Sequence, residues 1–317
     1  MGLLSDFSLR DGHLVIKRTG AAIPIDSDLV KEVYRAGSFI TSVAAIRATR
    51  DAKSLLKSNL LKPHQRRITI AFTPDTPRPW YAIWPVCKLA GLHFTKSLNR
   101  ADILFHFEDS LTASQTPAPK VPLLNGACTD ISKSRVASVF EQVFGYPLAI
   151  DPTDYKGQAL EKSEDNGVHD GRIISCPIEN KKTGVVYQRL IDNSTDGKVF
   201  TDIRTPIVGD KIPTLYLKQR HRADRFSNEN FRVLLTTPEK IFSPQEYGKI
   251  IAFARAMRLD FGGLDILRHS ADGRLYIVDV NKTDMGPPTA LPSKDKHIAM
   301  QTLADAFRDF VESKLLK

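Results

Sequence analysis

Cysteine is scarce. Cys87, Cys128 and Cys176 are the only three in 317 residues, they lie far apart, and none belongs to a C-x-x-C pair. That count excludes a disulfide framework and a structural zinc site, and it predicts three small buried thiols in a cytoplasmic protein. Long apolar runs are also missing. None reaches the roughly 18 residues that crossing a bilayer takes, so no membrane partner is expected. The opening MGLLSDFSLRDGHLV places Asp6 where a secretory signal would carry basic residues ahead of an apolar stretch, which predicts no such signal. Internal repeats and low-complexity segments are absent as well.

The charge is not of one sign. Lys and Arg number 45 against 36 Asp and Glu, a formal +9, and the densest basic runs, Lys62 to Arg67 and Lys218 to Arg225, are short. With no zinc-finger spacing, basic zipper or aromatic RNA-binding motif beside them, nucleic acid is not an expected partner. The excess suits solubility and attraction for an anionic ligand such as a nucleotide. At 42% hydrophobic residues the chain is globular, and its length allows two or three modules.

Along the chain, residues 1 to 60 form an N-terminal extension, with a short strand over Gly12 to Arg18 and a helix over Leu29 to Lys57. ITIAFT at 68–73 predicts a strand, Trp80 to Ala90 a helix stopping at Gly91, and ADILFHF at 101–107 a second strand. Together these predict a small α/β domain over 61–125. An amphipathic helix over about 130–144, with Lys133, Val136, Val139, Phe140 and Phe144, ends at Gly145. Strands dominate from 146 to 240, with a turn at Gly209-Asp210 between the last two. Ser243-Pro244-Gln245-Glu246 predicts a capped helix start, and the helix runs through Ile250, Ala254 and Met257 to Arg258. Two strands, LDIL and RLYIVDVN, precede a closing helix from Lys296 to Lys314.

The most informative stretch is Asp260 to Pro288. A period of two places Leu275, Ile277, Asp279 and Asn281 on one strand face. An aspartate and an asparagine at the end of a nearly continuous apolar strand are costly unless something satisfies them. Magnesium would, since it prefers hard oxygen ligands and bridges phosphates. Asp265 on the preceding strand completes the set if it lies opposite Asp279. That needs a three-residue turn or an equivalent bulge, because a two-residue turn at Asp272-Gly273 would set Asp265 against Val280. Upstream, Lys162 ends a short strand ahead of a loop with Gly167 and Gly171, an order suited to a cation and backbone N–H groups closing on phosphate. Asp202 with Arg204, and Lys218 with Arg220, share strand faces. Arg225 and Asn228 are candidate phosphate or acceptor contacts.

These residues resemble the ATP-grasp superfamily over roughly 120 to 290. In that family an acid on one strand and an acid-x-Asn pair on the next hold magnesium against nucleotide phosphates, and Asp265, Asp279 and Asn281 stand at the matching positions. The second acid is more often glutamate there, so the shorter Asp279 departs from the pattern. The resemblance implies a phosphate role for Lys162 with Lys156 as a second basic position. It likens VVYQRLI to the strand that meets adenine through Gln188, Arg189, Leu190 and Ile191, and makes Asp192 a ribose partner. It sets Arg204 near a bound acyl phosphate, Lys218 near the nucleotide, and 282–288 at the border of the acceptor pocket.

The expected architecture is thus α/β: the N-terminal extension, a small α/β domain, a two-lobed ATP-grasp core over 126–292, and a C-terminal helix over 293–317. The implied activity is that of an ATP- and Mg2+-dependent carboxylate-amine ligase. Its expected partners are a small-molecule or peptide acceptor bearing a carboxylate, an amine nucleophile, and a second copy of the chain in a homodimer. An ATP-grasp small-molecule kinase and an inactive nucleotide-binding regulator are the alternatives, and a basic nucleic-acid-binding protein stands behind both.

Overall fold

Strand ITIAFT and strand ILFHF lack alternation because both of their faces are covered, which is the signature of a parallel sheet. The structure, a computed structural model, describes residues 7–10, 13–16, 22–24, 67–113, 119–164, 170–225 and 230–316. The chain divides into two compact units, 1–65 with 78–80 and 66–77 with 81–317. In the first, β1 (Phe7–Arg10), β2 (His13–Ile16) and β3 (Ala22–Pro24) form an antiparallel sheet in that order. The strand expected at Gly12 to Arg18 contains β2; the helix expected over Leu29 to Lys57 lies outside the described residues.

The second unit opens with β4 (Thr69–Pro74), α1 (Ile83–Leu89), β5 (His93–Phe94), β6 (Ile103–Phe107) and β7 (Leu123–Leu124). Their sheet is parallel throughout, in the order β5-β4-β6-β7. Helix α1 starts three residues later than Trp80, and Pro85 falls in its first turn, where a missing N–H costs nothing. Helix α2 (Lys133–Phe144) is capped by Ser132, whose Oγ accepts from Arg135 N at 3.2 Å. It stops, as expected, at Gly145 in the left-handed region, φ 82°.

Two antiparallel sheets follow. The smaller, β10-β8-β9, is made of β8 (Gly157–Ser163), β9 (Arg172–Cys176) and β10 (Val185–Arg189). The larger contains β11 (Ser194–Thr195), β12 (Val199–Val208), β13 (Leu215–His221), β14 (Arg232–Thr236), β15 (Phe261–Arg268) and β16 (Leu275–Asn281), ordered β14-β13-β12-β15-β16 with β11 beside β12. Helix α3 (Pro244–Ala256) has the expected reciprocal cap: Glu246 N donates to Ser243 Oγ at 3.2 Å, and Ser243 N donates to Glu246 Oε2 at 2.8 Å. It ends two residues before Arg258, which takes φ 58°. Helix α4 (Ser293–Leu315) closes the chain.

The two faces of the larger sheet have different jobs. One buries Ile203, Ile207, Leu264, Ile266, Ile277 and Val280 against Val136 and Phe140 of α2 and Ile250 and Phe253 of α3, forming the main core. On the other, Phe261 packs edge-on to Phe307 of α4 with ring centroids 5.3 Å apart, and Tyr216 and Val233 pack near Ala299. Between those apolar contacts this second face carries the polar residues described next. Among the described residues, no helix is long and apolar enough to cross a membrane.

Candidate functional site

The site begins with a slipped register. Near the hairpin loop Arg268 pairs with Leu275 and Ile266 with Ile277, but beyond a one-residue bulge Asp265 pairs with Asp279 and Gly263 with Asn281. The loop itself spans four residues, since His269 N donates to Arg274 O at 2.9 Å. The expected opposition of the two aspartates is therefore reached through a bulge at Val278 and not through a three-residue turn. The bulge also corrects the expected strand face. Leu275 and Ile277 point into the core, whereas Asp279 and Asn281 point the opposite way, because the extra residue reverses the alternation between 277 and 279.

Register then brings four strands' polar residues to one face. Arg204 of β12 pairs with Asp265 on one side and Tyr216 on the other, and Asp202 pairs with Lys218. Arg204 Nη1 donates to Asp265 Oδ2 at 2.9 Å, and Lys218 Nζ donates to Asp265 Oδ1 at 3.0 Å. The second arm of Arg204 donates to Asp284, beyond the end of β16. Burial opposes ionisation of Asp265, but Arg204 and Lys218 outweigh it and hold the carboxyl well below its usual range. For Arg204 too, burial works against the charge and the two carboxylates overcome it, so the guanidinium stays protonated. Asp279 differs: burial, then the neighbouring Asp265, push its carboxyl up despite Lys162 and Arg204. Its Oδ1 is buried and accepts no hydrogen bond.

An orphaned carboxylate oxygen directly across from a second carboxylate, with Asn281 next on the same face, is an oxygen-only donor set that suits magnesium. Among the described residues no group of three or more His, Cys, Asp or Glu side chains is arranged to hold a metal, and Asn281 adds an amide oxygen on the same face as the two aspartates. That amide oxygen already accepts from Thr283 N at 3.0 Å.

A basic pair faces these acids from the smaller sheet and α2. Lys162 is pulled down to about 8 by burial, with Lys133 adding repulsion and Asp279 and Asp265 opposing it. Lys133, buried in the first turn of α2, donates from Nζ to Glu164 O at 2.9 Å. The Glu164 carboxylate accepts from Ser134 N at 3.3 Å and from Ser134 Oγ, so the strand end after Lys162 is fastened to the N-terminus of α2.

The stretch expected to meet adenine is ordered around a buried amide. Gln188 is 1% exposed, and neither its Nε2 nor its Oε1 has a hydrogen-bond partner. Arg189 points away, donating to Pro147 O at 3.1 Å. Leu190 is half-buried and Ile191 is buried in the main core. Asp192 is exposed; its Oδ1 accepts from Ser194 N at 3.0 Å, and hydrogen bonding from the Ser194 side chain, then from its backbone, holds the carboxyl below the usual value. Arg225 Nη2 donates to Ile191 O at 2.5 Å while its guanidinium lies over Phe200, 4.5 Å from the ring centroid. It braces the backbone at the end of that stretch. Arg220 Nη1 donates to Asp202 Oδ2 at 2.7 Å on the shared face. Lys156 is exposed, just before β8, and Asn228 lies outside the described residues.

On the side of the parallel sheet, the segment after Asn281 is tied down. Thr283 Oγ1 donates to Asp109 Oδ1 and Tyr81 Oη to Asp109 Oδ2, both at 2.8 Å. Lys282 is buried among Glu108, Asp109 and Asp130, and burial lowers its pKa.

Sequence reasoning missed two members of this constellation. Lys133 was legible as a cation in register with the apolar stripe Val136, Ala137, Phe140 and Phe144 of α2, a position that a solvated lysine does not occupy. Asp284 had no local signal, because its partner Arg204 is 80 residues away.

No sequence-family model matches the chain, and no curated protein matches it by sequence. Solved structures do match it. The ATP-grasp ligase PsnB, in complex with precursor peptide PsnA2 and AMPPNP, superposes with a TM-score of 0.50 at 13% identity, over 77% of this chain and 98% of that one. D-alanine–D-alanine ligase from Bacillus anthracis, complexed with ATP, gives 0.48 at 13% identity over 80% and 99%. The macrocyclase MdnC from Microcystis aeruginosa, bound to precursor peptide MdnA, gives 0.45 at 11% over 76% and 98%. At these identities the likeness is one of fold.

Proposed function

We propose that this chain, which has the ATP-grasp fold, is a Mg-ATP-dependent ligase that activates an acceptor carboxylate for attack by an amine or related nucleophile. The observation that carries the reading is the opposition of Asp265 and Asp279 on the polar sheet face, with one Asp279 oxygen buried and unsatisfied and both carboxyl groups favouring the charged form of Lys162. Asp265, Asp279 and Asn281 would hold magnesium, which when bound neutralises phosphate charge and polarises the transferring phosphoryl group. Lys162 and Lys133 supply positive charge for the phosphates, and the buried Gln188 amide offers one donor and one acceptor to the base. In the reaction the acceptor carboxylate attacks the γ-phosphate, releasing ADP and leaving an acyl phosphate. The nucleophile then displaces inorganic phosphate. No protein nucleophile takes part. Arg204 supports this chemistry through Asp265 and not by touching phosphate, since both arms of its guanidinium are engaged by carboxylates.

The acceptor would enter beside Thr283, Asp109 and Tyr81, where the segment after β16 meets the parallel sheet. A peptide with an acidic side chain is the first acceptor class to test, since PsnB was solved with a precursor peptide. The experiment is a screen of carboxylate acceptors, peptides and small molecules, with and without amines, reading ADP and phosphate release. Acceptor- and amine-dependent release supports a ligase. ADP with a stably phosphorylated acceptor indicates a kinase.

One observation favours a second reading, a nucleotide-binding regulator without turnover: each Asp265 oxygen is already taken by a cation. On that reading ATP binds and no acceptor promotes its cleavage.

A further inference from the structure

Asp284 stands outside the expected metal set, yet it is joined to it by a single side chain. Arg204 spans two carboxylates, Nη1 on Asp265 at 2.9 Å and Nη2 on Asp284. The strand between them is shaped for that bridge. A Cβ on Gly263 would lie 2.6 Å from Asp284 Oδ2 and 2.8 Å from Arg204 Nε and Cζ, so only glycine leaves the pair its room. The backbone of Asp284 is fixed from the other side: Ala82 N donates to its carbonyl at 2.8 Å, and Met285 bridges to Tyr81. Asp284 is 8% exposed, and burial pushes its carboxyl up while Arg204 pulls it back toward the ionised form.

We infer that Asp284 is a positioning residue for Asp265, acting through Arg204 to keep that carboxylate available to a divalent cation; this rests on the Mg-ATP reading above. Arg204 remains charged, and with Asp284 present its charge is shared between two carboxylates. Without Asp284, the whole guanidinium charge would bear on Asp265 in a weakly screening environment and compete with the metal for it. Partners that stand one step behind a metal ligand typically change metal affinity 10- to 100-fold when removed. The same bridge ties Asp265 to the segment that follows β16.

The test is the Mg2+ concentration that half-saturates ATP binding, measured by calorimetry at fixed ATP for wild type, Asp284→Asn, Asp284→Glu and Asp265→Asn. Melting temperatures and ATP binding in EDTA are recorded for each. Asp284→Asn is expected to raise the Mg2+ requirement about tenfold while ATP binding in EDTA is unchanged, and Asp284→Glu to return it toward wild type. A merely structural pair would lower the melting temperature and leave the Mg2+ requirement alone, which overturns the inference. If Asp265→Asn shifts the requirement and Asp284→Asn does not, the inference falls and the metal reading stands. If neither shifts it, both fall. Should Asp284→Asn be unfolded, Gly263→Ala, which keeps both charges and displaces the pair, is read against the same outcomes.

Discussion

Asp265 lies across from Asp279 because β16 carries one extra residue, Val278, between the pair Ile266–Ile277 and the pair Asp265–Asp279. Without that slip the hairpin register would set Asp265 against Val278. Two carboxylates thus meet on one face, and only one of them has cations on both of its oxygens. The other is the destabilised partner. Asp279→Asn should therefore raise the urea midpoint of the apo protein at neutral pH, because it removes a carboxyl whose ionisation burial and Asp265 oppose. The sign follows from a raised folded pKa: the penalty is present while Asp279 is ionised and is relieved as pH falls through that pKa, so the advantage of the variant should shrink on acidification. Urea titrations at several pH values check this. Equal midpoints at neutral pH would mean the carboxylate is satisfied.

Lys162 gives a pH dependence of opposite character. With its pKa pulled down to about 8, the free protein begins to lose this positive charge at mildly alkaline pH. Phosphate binding favours the charged form, so above that pH binding must take up a proton, and ATP affinity should fall by up to about tenfold per pH unit. Below it no linkage is expected. Lys162→Arg should flatten the profile. Calorimetry in buffers of different ionisation enthalpy reads the proton uptake directly.

Gln188 separates fold from ligand. Its amide is buried with both ends unpaired, so Gln188→Met should leave the apo melting temperature unchanged or higher. The same change removes a donor and an acceptor offered to the base and should weaken ATP binding about tenfold. Loss of stability without loss of binding would show that the amide serves the fold.

Asn125 is the opposite case. At φ 56° and fully buried, it receives Asp260 N at 2.8 Å and Phe261 N at 2.9 Å on Oδ1, and donates from Nδ2 to Phe261 O at 2.7 Å. One side chain thereby fastens the end of the parallel sheet to the start of β15. Asn125→Ala should cost about 2–4 kcal/mol, since it strands buried backbone groups and forces alanine into a left-handed conformation. Chemical denaturation measures it.

Periodicity and caps made most of the fold legible. The capping box at Ser243, the helix stop at Gly145 and the unbroken apolar strand at 103–107 are local signals, and each gave its element. The relation of Asp265 to Asp279 was legible as a condition on the hairpin. What could not be read was how the condition would be met, since a bulge leaves the strand pattern unbroken and reverses only the faces. Long-range pairings were less visible still. Arg204 looked like a phosphate ligand because nothing in its neighbourhood announces Asp284, and Arg225 looked like another because its partner is a backbone carbonyl, which has no sequence signature.

The most direct test of the account is Mg2+-dependent ATP binding, measured by calorimetry for wild type and for the Asp265→Asn, Asp279→Asn double variant once both are shown to be folded. Asparagine is preferred to alanine because Asp265 holds two buried cations that a cavity would leave unpaired. Wild type is expected to bind ATP with magnesium, and the double variant to lose the magnesium-dependent part. No binding by wild type at any magnesium concentration, or equal magnesium-dependent binding by both proteins, would contradict it.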